Sequence, residues 1–225
     1  MCKRYWLQGE LEEVQKHIPD LGALGRGGAR YNIAPGHAAP VIRRAATGTT
    51  ELADLIWGLA PTTVTDPDAG PISSLEHHEA AARIGIRATY LYRRCLIPSN
   101  GFFIWQQVTP RRSVPWLLSY PGEALMMLAG LWEPLPQAGD AFALLTTAPP
   151  NRAAWVHFQF PVILPPSTWA AWLDHDTSIG TLAEIAYNGR QRPNRDLQQW
   201  RVTSSIASPD FQDPAAIVPL PPPVR

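Results

Sequence analysis

Apolar residues along this chain come in short runs broken by glycine and proline, with few stretches of helical period. Residues 4–7 read as a strand that Gly9 ends, and residues 10–18 as one short helix. Gly22, Gly25, Gly27 and Gly28 then form a loop that lacks the spacing of a phosphate-binding glycine motif. Residues 39–43 and 51–59 read as strands, with an extended approach over 30–34 that turns at Pro35-Gly36. Residues 62–71 are a Thr-, Pro- and Asp-rich loop. The best helix candidate is 73–87, with a serine cap ahead of Glu76 and an alanine-rich middle. Residues 93–98, 101–105, 116–120, 124–132 and 141–147 read as successive strands separated by turn residues. Another strand is predicted over 161–164. Short helices follow at 167–173 and 181–186, and a last strand at 200–206. From 208 onward the chain is proline-rich and is predicted to be a loose tail, which leaves 1–207 as one domain. Many short strands with few short helices predict an α+β fold built on curved antiparallel sheet.

Composition narrows the picture. The 225 residues suit a single domain, and 24 prolines argue against long helices. Nineteen basic and nineteen acidic residues cancel, so any nucleic-acid contact must come from a local patch. The paired arginines at 43–44, 93–94 and 111–112 are candidates for such a patch. Two cysteines make no disulfide framework, so a reducing, cytoplasmic setting is expected. No run is apolar enough to be read as a signal peptide or a membrane span. His77, His78 and Glu79 invite a metal reading. Adjacent histidines on a helix point about 100° apart, however, and HExxH is absent, so no metal or cofactor is expected. Cys95 lies in an apolar run and reads as an inert core residue.

Cys2 is the residue with chemistry of its own. It follows Met1, and removal of that methionine is expected to leave a cysteine with a free α-amine. The thiol and amine have reference pKa values of about 8.5 and about 7.7–8.0, so both are partly nucleophilic near neutrality. An aldehyde condenses with the amine, and the adjacent thiolate closes a thiazolidine ring.

Six ordered segments resemble the SOS response-associated peptidase (SRAP) family of abasic-site processing proteins. They are Met1-Cys2-Lys3-Arg4-Tyr5, Arg30-Tyr31-Asn32-Ile33-Ala34-Pro35, Trp57-Gly58-Leu59-Ala60-Pro61, Arg94-Cys95-Leu96-Ile97-Pro98 with Gly101-Phe102, Ala129-Gly130-Leu131-Trp132-Glu133, and His157 with Pro161-Val162-Ile163-Leu164. The resemblance spans roughly residues 2–207. It implies a pseudo-barrel of antiparallel strands and capture of abasic sites in single-stranded DNA through Cys2, with peptidase activity and nucleoid association also expected. Cys2 and His157 match its catalytic cysteine and histidine. Arg4, Asn32, Pro35, Trp57 and Trp105 match positions near the DNA, where arginine contacts phosphate and tryptophan stacks on bases.

The chain departs from the family pattern at two catalytic positions. Ile104 stands where the family has glutamate, and Ser74, or Ser73 with a shift of one, stands where it has asparagine. Gln159 replaces an arginine. A hydrocarbon transfers no proton, so slowed chemistry is expected. Two other readings compete with capture. One is a non-catalytic nucleic-acid- or protein-binding module on the same fold. The other is an N-terminal-cysteine hydrolase of the glutamine-amidotransferase kind, which lacks support from any further motif.

Overall fold

A ring of five strands forms the centre of the computed structural model, which describes residues 3–9, 11–22, 27–45, 47–59, 70–135, 139–148, 159–191 and 196–221. The first strands are β1 (Tyr5–Leu7), β2 (Arg30–Ile33), β3 (Ala38–Arg44), β4 (Thr50–Trp57) and β5 (Ser74–Glu76). Helices α1 (His77–Ala82) and α2 (Ile84–Tyr92) follow. Next come β6 (Arg94–Ser99), β7 (Gly101–Thr109), β8 (Arg112–Ser119), β9 (Met126–Leu135) and β10 (Gly139–Thr147). The chain continues through β11 (Phe160–Pro161), β12 (Ile163–Leu164), α3 (Trp169–Leu173), α4 (Ile179–Gln191) and β13 (Gln198–Arg201).

The ring runs β4-β3-β6-β9-β10 and closes where β10 meets β4. Antiparallel steps around a closed ring must be even in number. Five strands therefore need a parallel pair, and β10 beside β4 supplies it, with Phe142 opposite Trp57. Beyond the end of β4, β5 continues the parallel pairing along β10, with Ser74 opposite Leu144. All six residues of β6 are buried, which explains its unbroken apolar run. Gly130 lies opposite Cys95. A Cβ there would come within 2.3 Å of Ile97 Cδ1 and 2.8 Å of the Ala143 carbonyl, so the Ala-Gly-Leu-Trp motif reflects close strand packing.

A second, wholly antiparallel sheet is ordered β13-β8-β7-β1-β2. Its side chains alternate between two cores, as the period of a strand requires. Tyr5, Leu7, Phe102, Ile104 and Leu118 face the main core. Trp6, Phe103 and Leu117 face a smaller one with Val202, Ile206 and Ala216, flanked by Trp105, Trp200, Phe211 and Ile217.

The α+β class and pseudo-barrel match expectation, while four elements differ. The helix expected over 73–87 begins as strand β5, because its serines pair with β10, and it breaks at Arg83, where ψ is 118°. The 10–18 helix is a short 3-10 segment, Glu12–Lys16. The last strand ends at Arg201 and gives way to a 3-10 turn over Ser204–Ala207. The expected loose tail is docked as far as residue 221. Ala216 is fully buried, Trp200 Nε1 donates to the Ile217 carbonyl at 2.8 Å, and Leu220 N–H donates to the Arg201 carbonyl at 2.8 Å.

Candidate functional site

Cys2 and His157, the two expected catalytic residues, lie outside the described residues. The remaining expected site residues fall into two groups.

One group is internal. Trp57 is fully buried, donates its indole N–H to the Ser73 carbonyl at 2.7 Å, and packs on Tyr5 and Phe142. It has no face left for a base, so the expected stacking role is corrected to a core one. Ile104, expected from the resemblance to stand where the family has glutamate, is 1% exposed and belongs to the main core. Its surroundings are apolar, which disfavours a charged group there. Ser74 is half-buried, and its Oγ has no hydrogen-bond partner among the described residues.

The second group gathers beneath the C-terminal segment. Arg4 donates to the carbonyls of Lys3 (2.7 Å) and Ala207 (3.2 Å). Asn32 is fully buried, and its amide nitrogen donates to the carbonyls of Ile206 (3.2 Å) and Ser208 (2.8 Å). Gln212 bonds the backbone of Asn32, donating to its carbonyl at 2.7 Å and accepting from its N–H at 3.3 Å. Asn32 therefore anchors residues 206–212 and presents no surface to DNA, which corrects the sequence expectation. Trp105 is half-buried at the edge of the smaller core. Pro35 is half-buried in a turn in which Gly36, at φ 89°, donates its N–H to the Trp57 carbonyl at 2.8 Å. That bond ties the Tyr-Asn-Ile-Ala-Pro segment to the Trp-Gly-Leu-Ala-Pro segment.

His37 follows this turn. Its Nδ1 accepts the Ala34 N–H at 3.4 Å. Burial, then the charges of Arg30 and Arg4, hold its pKa below the ordinary histidine range, against a smaller opposing pull from Asp210. Arg30, His37, Pro209, Asp210 and Gln212 border a shallow cavity of about 440 Å³.

The expected arginine patch divides. Arg94 is 1% exposed and donates to the carbonyls of Trp172, Tyr90, Leu91 and Asp174, closing the ends of α2 and α3. Arg43 is held by Glu51 and Asp140 and lies 4.1 Å from the Trp132 ring centroid. Arg44 pairs with Asp174. These three are structural, whereas Arg111 and Arg112 are exposed. Cys95 is buried, and desolvation pushes its thiol pKa far up, so it stays protonated and unreactive.

One polar network escaped the sequence reading. Thr146 Oγ1 donates to Gln159 Oε1 at 3.0 Å, and the Gln159 amide donates to Glu76 Oε1. The available signal was Gln159 itself, which the resemblance sets where the family has arginine, because a neutral amide needs a different partner from a guanidinium.

The sequence pattern of one family, described as SOS response associated peptidase (SRAP), matches residues 1–209. The abasic site processing protein YoqW of Bacillus subtilis is 24% identical over 225 residues, covering 96% of this chain and 99% of that protein. YoaM of the same organism, also named an abasic site processing protein, is 25% identical over 219 residues, covering 93% and 94%. A crystal structure of a Bacteroides thetaiotaomicron protein superposes with a TM-score of 0.76 at 17% identity, covering 97% of this chain and 100% of that one. A phage-related protein of Bordetella bronchiseptica gives 0.73 at 24% identity, covering 89% and 94%.

Proposed function

This chain belongs to the SOS response associated peptidase family, and on that premise we propose that it captures abasic sites in single-stranded DNA through Cys2. One observation carries the reading. The family match takes in the N-terminal cysteine, and relatives named for abasic site processing align along nearly the whole chain.

The chemistry needs few groups. The ring-opened abasic sugar offers an aldehyde. The Cys2 amine adds to it and water leaves, giving an imine. The thiolate then adds to the imine carbon, the nitrogen takes a proton, and a thiazolidine forms. His157 serves as the general acid and base for the proton transfers, since an imidazole titrates near working pH. Arg4 and Arg30 supply positive charge for phosphates, His37 adds to it once protonated, and Trp105 and Pro35 each offer an apolar contact to the strand. Ile104 supplies no proton, so adduct formation is slower than in a relative with an acid there.

A second reading is a non-catalytic binding module on the same fold. It is favoured by the hydrocarbon at Ile104 and by the burial of Trp57 and Asn32. A denaturing gel separates the two. With an oligonucleotide bearing one abasic site, capture gives a heat-stable shifted band that Cys2→Ala removes and Cys95→Ala keeps. The absence of a band between about pH 6 and 8, the range of the imidazole and amine, leaves the binding module standing.

A further inference from the structure

The junction of β5 and α1 carries three metal-ligand side chains that capture does not use. Glu76, His78 and Glu79 each present one donor atom, and these atoms lie within 4.8 Å of one another. His78 Nδ1 stands 3.1 Å from Glu76 Oε2. Bonds of about 2.0–2.2 Å to a single ion bring such donors to roughly 3–4 Å apart, within the reach of a side-chain rotation at exposed Glu79.

The local fold explains the convergence. Glu76 is still extended, with ψ 134°, while His78 and Glu79 sit in the first turn of α1. On a continuous helix His78 would point away from Glu76. The strand-to-helix corner brings them together instead. His77 takes a different direction, its Nε2 2.7 Å from the Tyr90 hydroxyl. The two histidines diverge as expected, so the imidazole that matters partners acids and not its neighbour.

Three further observations point to a cation. Glu76 is held in place, because its Oε1 accepts the Gln159 amide while Oε2 faces His78. Hydrogen bonds of this kind orient ligating carboxylates. Among the described residues neither glutamate is paired with a lysine or arginine, and the basic partner of Glu76 there is His78. His78 also borders a cavity of about 770 Å³ with Thr147, Ala183 and Tyr187, within the size range of small-molecule sites.

We propose that Glu76, His78 and Glu79 bind a divalent first-row transition ion such as Zn²⁺, Mn²⁺ or Co²⁺. One imidazole with two carboxylates selects these over Mg²⁺ and Ca²⁺, which favour oxygen-only sets. Three protein donors leave coordination positions open for water or a further ligand. This revises the sequence expectation of no metal, which weighed the histidine pair without Glu76.

The test uses the full chain, stripped with EDTA and titrated with Co²⁺ alone, followed by ligand-field absorption, with Zn²⁺ as competitor. One equivalent binds. His78→Ala and Glu79→Gln, both at exposed positions, each weaken binding at least about ten-fold, and Gln159→Leu weakens it about 10–100-fold. Cys2→Ala leaves it unchanged. No saturable binding, equal affinity in His78→Ala, or loss of binding in Cys2→Ala overturns the proposal. No DNA enters the readout, so failure here is separate from failure of the capture reading.

Discussion

Ile104, which the resemblance sets where the family has an acid, is a hydrocarbon packed in the main core. Two consequences follow for Ile104→Glu. If a glutamate in this position takes part in proton transfer, adduct formation accelerates, within the roughly 10²–10⁴-fold range of general acid–base groups. The same substitution places a carboxyl in an apolar setting, which raises its folded-state pKa above the unfolded value of about 4.3. The folded state then binds more protons than the unfolded one. The variant is therefore closest to wild-type stability in acid and loses stability as pH rises from about 4.3 through the raised pKa. Urea unfolding at several pH values checks this, and a penalty independent of pH contradicts it. His37 gives a second residue-level prediction. Its pKa lies below the ordinary range through burial and the nearby Arg30 and Arg4 charges, opposed by Asp210. In the free protein it is neutral at pH 7, and a bound phosphate backbone favours the protonated form. Its NMR titration midpoint is expected to rise when single-stranded oligonucleotide is added, and affinity to increase as pH falls toward that midpoint. An unmoved midpoint removes His37 from the interface.

The C-terminal segment is the element that local sequence described least well. Proline content indicated a loose tail, because proline cannot sustain a helix or an interior strand. The hydrogen bonds of Asn32 and Arg4 to residues 206–208 join partners 174, 176 and 203 positions apart in the chain, which no local pattern reports, and Trp200 adds a bond to Ile217, 17 positions on. Deleting 208–225 removes Phe211, Ala216 and Ile217 from the smaller core. Partial burial of the two large side chains and full burial of the alanine make the loss on the order of 3 kcal/mol. The urea midpoint should fall, and tryptophan emission should shift red as Trp200 loses its cover. An unchanged midpoint returns the segment to a loose tail. The 73–87 region failed for a related reason. Its helical composition is real in α1 and α2, but pairing with β10 overrides propensity at Ser74–Glu76. Strands β6, β7 and β9 were legible because short apolar runs bounded by turn residues mark buried strands.

At the scale of the whole molecule, the ring of strands and the flanking sheet were foreseeable from the ordered motifs, several of which mark packing. Gly130 is required by a carbonyl and a sulfur on either side, Trp57 fills the ring, and Arg94 closes two helix ends. Motifs that signal a family thus do not all signal contacts with its substrate, and this is why Asn32 and Trp57 were placed at the DNA from sequence. The functional claim depends on Cys2, and the mass of the crosslinked species tests it most directly. The account predicts a chain lacking Met1, joined to one abasic oligonucleotide with the loss of one water, and a proteolytic fragment that carries the sugar remnant on Cys2. An adduct on a lysine, or a fragment with unmodified Cys2 from a crosslinked sample, contradicts it.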